Sequence, residues 1–147
     1  LVFNGLKPES PTGLNFLYTS PEGDFQVRFP KKPTSSDFTS IPGVVRQREE
    51  AVYWQIAPEN FGFYKVIIIR YQDRASLLKQ QKVDSELLKQ FGGVPSSPCT
   101  WRGYEALKDK DGKGLTVFVG TCQYSLNTSG TSQRDFQRFL ESFVLLK

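Results

Sequence analysis

From Phe61 to Tyr71 the chain reads FGFYKVIIIRY, and from Asp73 to Phe91 it reads DRASLLKQQKVDSELLKQF. The first stretch is aromatic and β-branched, and its run Val66 to Ile69 suits a central strand covered on both faces. The second is made of good helix formers, with Leu77, Leu78, Leu87, Leu88 and Phe91 on or beside one stripe. Gly92-Gly93 then stops the helix. A buried strand that runs almost directly into a helix restricts the chain to a sheet with helices packed against it.

The remaining segments supply more strands and one more helix. Asn15 to Thr19 reads as a short strand, and Ser20 to Asp24 as a turn. Phe25, Val27 and Phe29 alternate with Gln26 and Arg28, the period of a half-buried strand, which Pro30 and Pro33 end. Residues 34–43 read as polar loop. Val44 to Ala57 reads as a strand whose charged middle suggests exposure or an edge, followed by a turn at Pro58-Glu59-Asn60. Residues 94–98 read as a linker loop. Pro98 to Leu126 reads as one hairpin, two apolar arms around the turn KDKDGKG. Phe136, Phe139, Leu140 and Phe143 recur at i, i+3, i+4 and i+7, an amphipathic helix that Thr131 or Ser132 can cap. The expected fold is α+β, an antiparallel β-sheet flanked by helices. Residues 1–13 read as a leader or linker and 14–147 as one domain, a size that buries a core without staples.

Composition removes several function classes. The 147 residues contain no histidine, which excludes Ser-His and Cys-His nucleophile pairs, imidazole bases and histidine-ligated metal sites. Catalysis would fall to carboxylates, Lys, Tyr or Cys. The net charge is +4, and the densest basic cluster is Arg28, Lys31 and Lys32, short for a nucleic-acid surface. The longest aliphatic run, Val66 to Ile69, is far too short to span a bilayer. The chain begins at Leu1 rather than Met, which reads as a processed or trimmed form.

The only two cysteines, Cys99 and Cys122, lie near the outer ends of the hairpin arms. With Leu107 opposite Leu115, Cys99 falls opposite Gln123, next to Cys122. The apolar phase slips at Gly120-Thr121, as a β-bulge there would cause. Such a bulge brings both sulfurs to one face, within reach of a disulfide. Two separately buried thiols are the alternative. A zinc site lacks ligands, and a reactive thiol has no base beside it.

Other motifs carry little. Asp109-Lys110-Asp111-Gly112 lacks the later calcium-loop ligands and reads as a turn. Ser76-Leu77-Leu78-Lys79 has no companion motifs of a penicillin-binding enzyme. Gly112-Lys113-Gly114 precedes a strand, not a helix. Asn127-Thr128-Ser129 is a glycosylation sequon that reads as a loop. Glu49, Glu50 and Glu105 are the obvious carboxylates, and nothing in the sequence pairs them. Trp54, Trp101 and Tyr104 could line a ligand groove, although strand aromatics are more often core.

The order of F25-Q-V-R-F-P-K-K-P33, K65-V-I-I-I-R-Y-Q-D73, R102-G-Y-E-A-L107, C122-Q-Y-S-L126 and F139-L-E-S-F-V-L145 resembles a group of uncharacterised bacterial extracytoplasmic proteins, often cyanobacterial or planctomycete, and the wider PsbP-like fold. The resemblance spans about residues 15–145, and F-P-x-K-P is its best motif. Gly103-Tyr104 stands where the pattern often has Pro-Gly. The aromatic-Pro-x-x-Trp opening of photosystem-associated members is missing, so neither photosystem binding nor metal residues carry over. The resemblance implies a PsbP-like α/β/α sandwich in an exported, non-enzymatic accessory module without cofactor or metal. Such a module sits in periplasm, thylakoid lumen or at the cell surface, with a lipid anchor upstream of Leu1. It binds a protein partner or a membrane-associated complex, not nucleic acid. A disulfide agrees with an oxidising compartment. A carboxylate- or Ser-dependent hydrolase is the rival reading, and a nucleic-acid binder using Arg28, Lys31 and Lys32 the third.

Overall fold

A computed structural model describes residues 13–38, 46–56, 61–93 and 96–146. Its elements in chain order are β1 (Phe16–Thr19), β2 (Phe25–Phe29), β3 (Thr34–Phe38), β4 (Arg46–Gln55), β5 (Gly62–Tyr71), α1 (Arg74–Gln90), β6 (Ser97–Trp101), β7 (Tyr104–Lys108), β8 (Gly114–Val119), β9 (Cys122–Ser129), α2 (Gln133–Glu141) and β10 (Val144–Leu145). Seven strands form one sheet in the order β3-β4-β5-β9-β8-β7-β6, and three form a second in the order β10-β2-β1. The hairpin pairs β6–β7, β7–β8 and β8–β9 are antiparallel, as are β1–β2 and β2–β10. The α+β class holds, and β5 is internal to its sheet, as its β-branched run requires.

The chain divides into two compact units, each assembled from separate segments. The first comprises Leu1–Thr34, Val52–Tyr64 and Thr128–Lys147. Its core is aromatic. Phe139 of α2 lies 5.4 Å from the Phe29 ring and 5.3 Å from Tyr64, both edge-on, and Phe143 lies 5.5 Å from Phe25. Burial, and then the nearby Asp135 and Tyr53, push the Tyr64 phenol above its usual pKa. The Ser132 hydroxyl accepts from the Asp135 amide and caps α2. This helix stops at Glu141, earlier than its periodicity suggests, because the Ser142 hydroxyl donates to the Phe139 carbonyl and the chain then pairs with β2.

The second unit comprises Ser35–Ala51 and Lys65–Asn127. On one sheet face Ala106, Val117 and Tyr124 stand in register, with Leu115 beside Leu126, and all are buried. On the other face Phe118 and Tyr71 hold Leu77 of α1, with Ile69 and Leu107 packed around them.

Three expectations need correction. Residues Thr34–Phe38 are a strand, not a loop, and β6 begins at Ser97, inside the segment 94–98 expected as a linker. The hairpin from Pro98 to Leu126 is four strands, because each arm turns back on itself. Arg102 (φ 49°) and Gly103 (φ 86°) form a two-residue turn with both centres left-handed, the type I′ geometry. Gly120 (φ 62°) opens a second tight turn, so the phase slip there is a chain reversal, not a bulge. The register also moves by one residue: Lys108, not Leu107, faces Leu115. The third correction follows from the first two. Cys99 and Cys122 are both free. With β7 and β8 between β6 and β9, they stand three strand spacings apart, about 14 Å. A disulfide needs a Cα separation below about 7 Å. The leader up to residue 12, Val44-Val45 and the Pro58–Asn60 turn lie outside the described residues.

Candidate binding cleft

Helix α1 starts where the Asp73 carboxylate accepts from the Ser76 amide at 2.8 Å. That bond holds the Asp73 carboxyl below its usual pKa, so the cap is charged at neutral pH. Arg74 anchors the first turn, donating to the Gly120 carbonyl at 3.0 Å and to Glu105 at 3.1 Å. Leu77, fully buried, completes the attachment. It is the only buried residue in a helix of 17. Leu78, Val83, Leu87 and Leu88 are exposed, and Phe91 just beyond the helix is 85% exposed. The stripe expected to face the sheet therefore docks only at its N-terminal end.

The cause lies in the sheet. Beyond Leu77, the residues facing α1 include Thr116, Pro98 and Ser96, which are short, and Gln123, which accepts from the Tyr71 hydroxyl at 3.4 Å. They do not fill the space under the helix. A cleft of about 580 Å³ remains, within the usual range of ligand sites. Leu78 and Leu88 form its helix wall with Gln81, Lys82, Asp84 and Ser85; Leu107 and Phe118 form its apolar floor. The sequence pointed to Leu78 and Leu88 as core. A signal that they were not was available: the alternation Leu115, Val117 against Thr116, Phe118 leaves a mixed, poorly filled second face.

The other candidate residues are scattered or neutralised. Glu49, Glu50 and Glu105 each meet an arginine: Arg70 at 2.8 Å, Arg48 at 3.6 Å and Arg74 at 3.1 Å. Glu49 is buried and Arg70 half-buried, with side-chain exposures of 8% and 18%. Arg70 also directs Nη1 to the Cys122 sulfur at 3.8 Å. The second Glu49 oxygen, Oε1, is buried with no hydrogen-bond partner among the described residues. The sequence signal for this buried partner is an arginine, Arg70, closing the aliphatic run Val66 to Ile69. Trp54 packs tilted against Phe61 and edge-on against Phe63 in the first unit. Trp101 and Tyr104 face each other across β6–β7 in the second. Arg28, Lys31 and Lys32 are all solvent-exposed in the first unit. Asn127-Thr128-Ser129 stands in β9, not in a loop, and Thr128 is buried. Among the described residues no group of three His, Cys, Asp or Glu side chains could hold a metal, and no helix is long and apolar enough to cross a membrane. Comparison with known protein families, curated proteins and solved structures returned no match.

Proposed function

We propose that the protein is a non-enzymatic binding module that takes an apolar segment of a protein partner between α1 and the sheet. One observation carries this reading: a 17-residue helix with a single buried residue stands over a cleft walled by Leu78, Leu88, Leu107 and Phe118. Helix-in-groove recognition uses such apolar walls with a polar rim. The absence of histidine and the engagement of all three candidate carboxylates by arginines support a binding role over the hydrolase reading. The PsbP-like sandwich and an extracytoplasmic site at a membrane-associated complex remain part of the proposal through the resemblance alone, since free thiols carry no mark of an oxidising compartment.

Leu88 is partly exposed, so Leu88→Asp places a charge in the cleft wall at little cost to the fold. The partner, captured on the wild-type protein and then purified, should bind the variant at least about tenfold more weakly, the loss of one apolar anchor. Leu17→Asp, on an exposed site of the first unit, should leave affinity unchanged. Equal binding by Leu88→Asp and wild type refutes the cleft.

A further inference from the structure

The first unit carries an apolar surface that the cleft does not use. It lies where β4 ends and β5, its neighbour in the sheet, begins. Ile56 is 78% exposed there, Phe61 68% and Trp54 49%. All three belong to the first unit. They form one patch. The Trp54 ring lies 6.1 Å from Phe61 and 5.2 Å from Phe63. Ile56 follows Trp54 by two residues, so the strand period sets it on the same side. Single exposed apolar residues are ordinary on a protein surface, but a contiguous patch marks an interaction site.

We propose that Trp54, Ile56 and Phe61 seat the protein on a lipid bilayer by entering its headgroup–acyl boundary. Area, polarity and charge select the occupant. At about 200 Å² per side chain, the bare part of the three is on the order of 400 Å². Each side of a stable protein interface contributes about 800 Å², so the patch is small for a globular partner or a second copy. A bilayer requires no matching shape, and its hold grows with whatever apolar area enters it. A protein interface also carries about one direct hydrogen bond per 100–200 Å². The indole N–H is the only polar group on these three side chains. Tryptophan favours the boundary between water and membrane, with its ring in the apolar layer and its N–H toward the headgroups. Residues 51–64 contain no Lys or Arg and one carboxylate, Glu59. The attraction is therefore apolar, and neutral phosphatidylcholine suffices; recognition of an anionic surface would call for basic residues. The cleft is lined by residues of the second unit, so either proposal can fail alone.

The protein has two tryptophans, so Trp101→Phe leaves Trp54 as the only indole reporter. Phosphatidylcholine vesicles titrated into this variant should shift Trp54 emission to shorter wavelength. Lipids brominated on the acyl chain should quench it, and added salt should leave the binding unchanged. Adding Phe61→Asp should weaken vesicle binding at least about tenfold. The site is exposed, so the melting temperature should stay close to that of the parent. Ile56→Asp should act in the same way and serves if Phe61→Asp unfolds. Leu88→Asp, in the cleft wall, should bind vesicles like its parent. No emission shift with phosphatidylcholine overturns the proposal, as does equal binding by the folded aspartate variants. Binding confined to vesicles with phosphatidylserine and lost in salt overturns it in favour of an electrostatic surface. A shift that grows with protein concentration in the absence of lipid, together with a dimer mass, overturns it in favour of a second copy.

Discussion

Replacing Arg70 by leucine is expected to destabilise the protein by about 3–5 kcal/mol. The guanidinium holds Glu49 at 2.8 Å, and the carboxylate is 8% exposed. Its second oxygen already lacks a hydrogen-bond partner among the described residues. Removing the cation leaves a full charge out of water with no compensation. At about 2–4 °C per kcal/mol for a chain near this size, the melting temperature should drop by roughly 10 °C. The double variant Glu49→Leu with Arg70→Leu should recover most of that loss, because two apolar groups need neither cation nor water. Thermal unfolding of the two single variants and the double variant closes the cycle. A loss below about 1 kcal/mol in Arg70→Leu would mean that the pair behaves as a solvated surface bridge.

The second large effect concerns the first unit. Phe139→Ala should cost about 3–5 kcal/mol. The ring is fully buried and meets Phe29 and Tyr64 edge-on at 5.4 and 5.3 Å. Alanine removes both aromatic contacts and leaves a cavity that the sheet strands on either side can close only in part. Urea unfolding followed by circular dichroism should show a lower midpoint with an unchanged slope. A midpoint within experimental error of wild type would contradict a close-packed core around Phe139.

The parts of the fold that were legible are those where one period dominates. FQVRF alternates cleanly and is β2; FGFYKVIIIRY and the residues after it change from strand to helix at Asp73, where the N-cap stands. The strand Thr34–Phe38 was not legible, because TSSDF has no apolar alternation and lies at the edge of its sheet. The two tight turns were hidden for different reasons. Arg102-Gly103 puts an arginine where a I′ turn normally shows asparagine, and Gly120-Thr121 shifts the apolar phase as a bulge does. Reading both arms as single strands then brought Cys99 and Cys122 together. The order β9-β8-β7-β6 separates them. The helix of the candidate site was found, but its cleft was not. A stripe of leucines says which side of a helix is apolar, and only the partner face, here Thr116, Pro98 and Gln123, says whether that side is covered.

Photo-crosslinking from the cleft wall tests the binding role most directly. Benzoylphenylalanine is introduced at position 88, and separately at position 17 as a control, and the full-length protein is irradiated in its native cells. The expected result is one discrete, saturable protein adduct from position 88, absent from position 17 and suppressed by excess unlabelled wild-type protein. Identical adduct patterns from both positions, or no saturable adduct from position 88, would contradict a partner seated between α1 and the sheet.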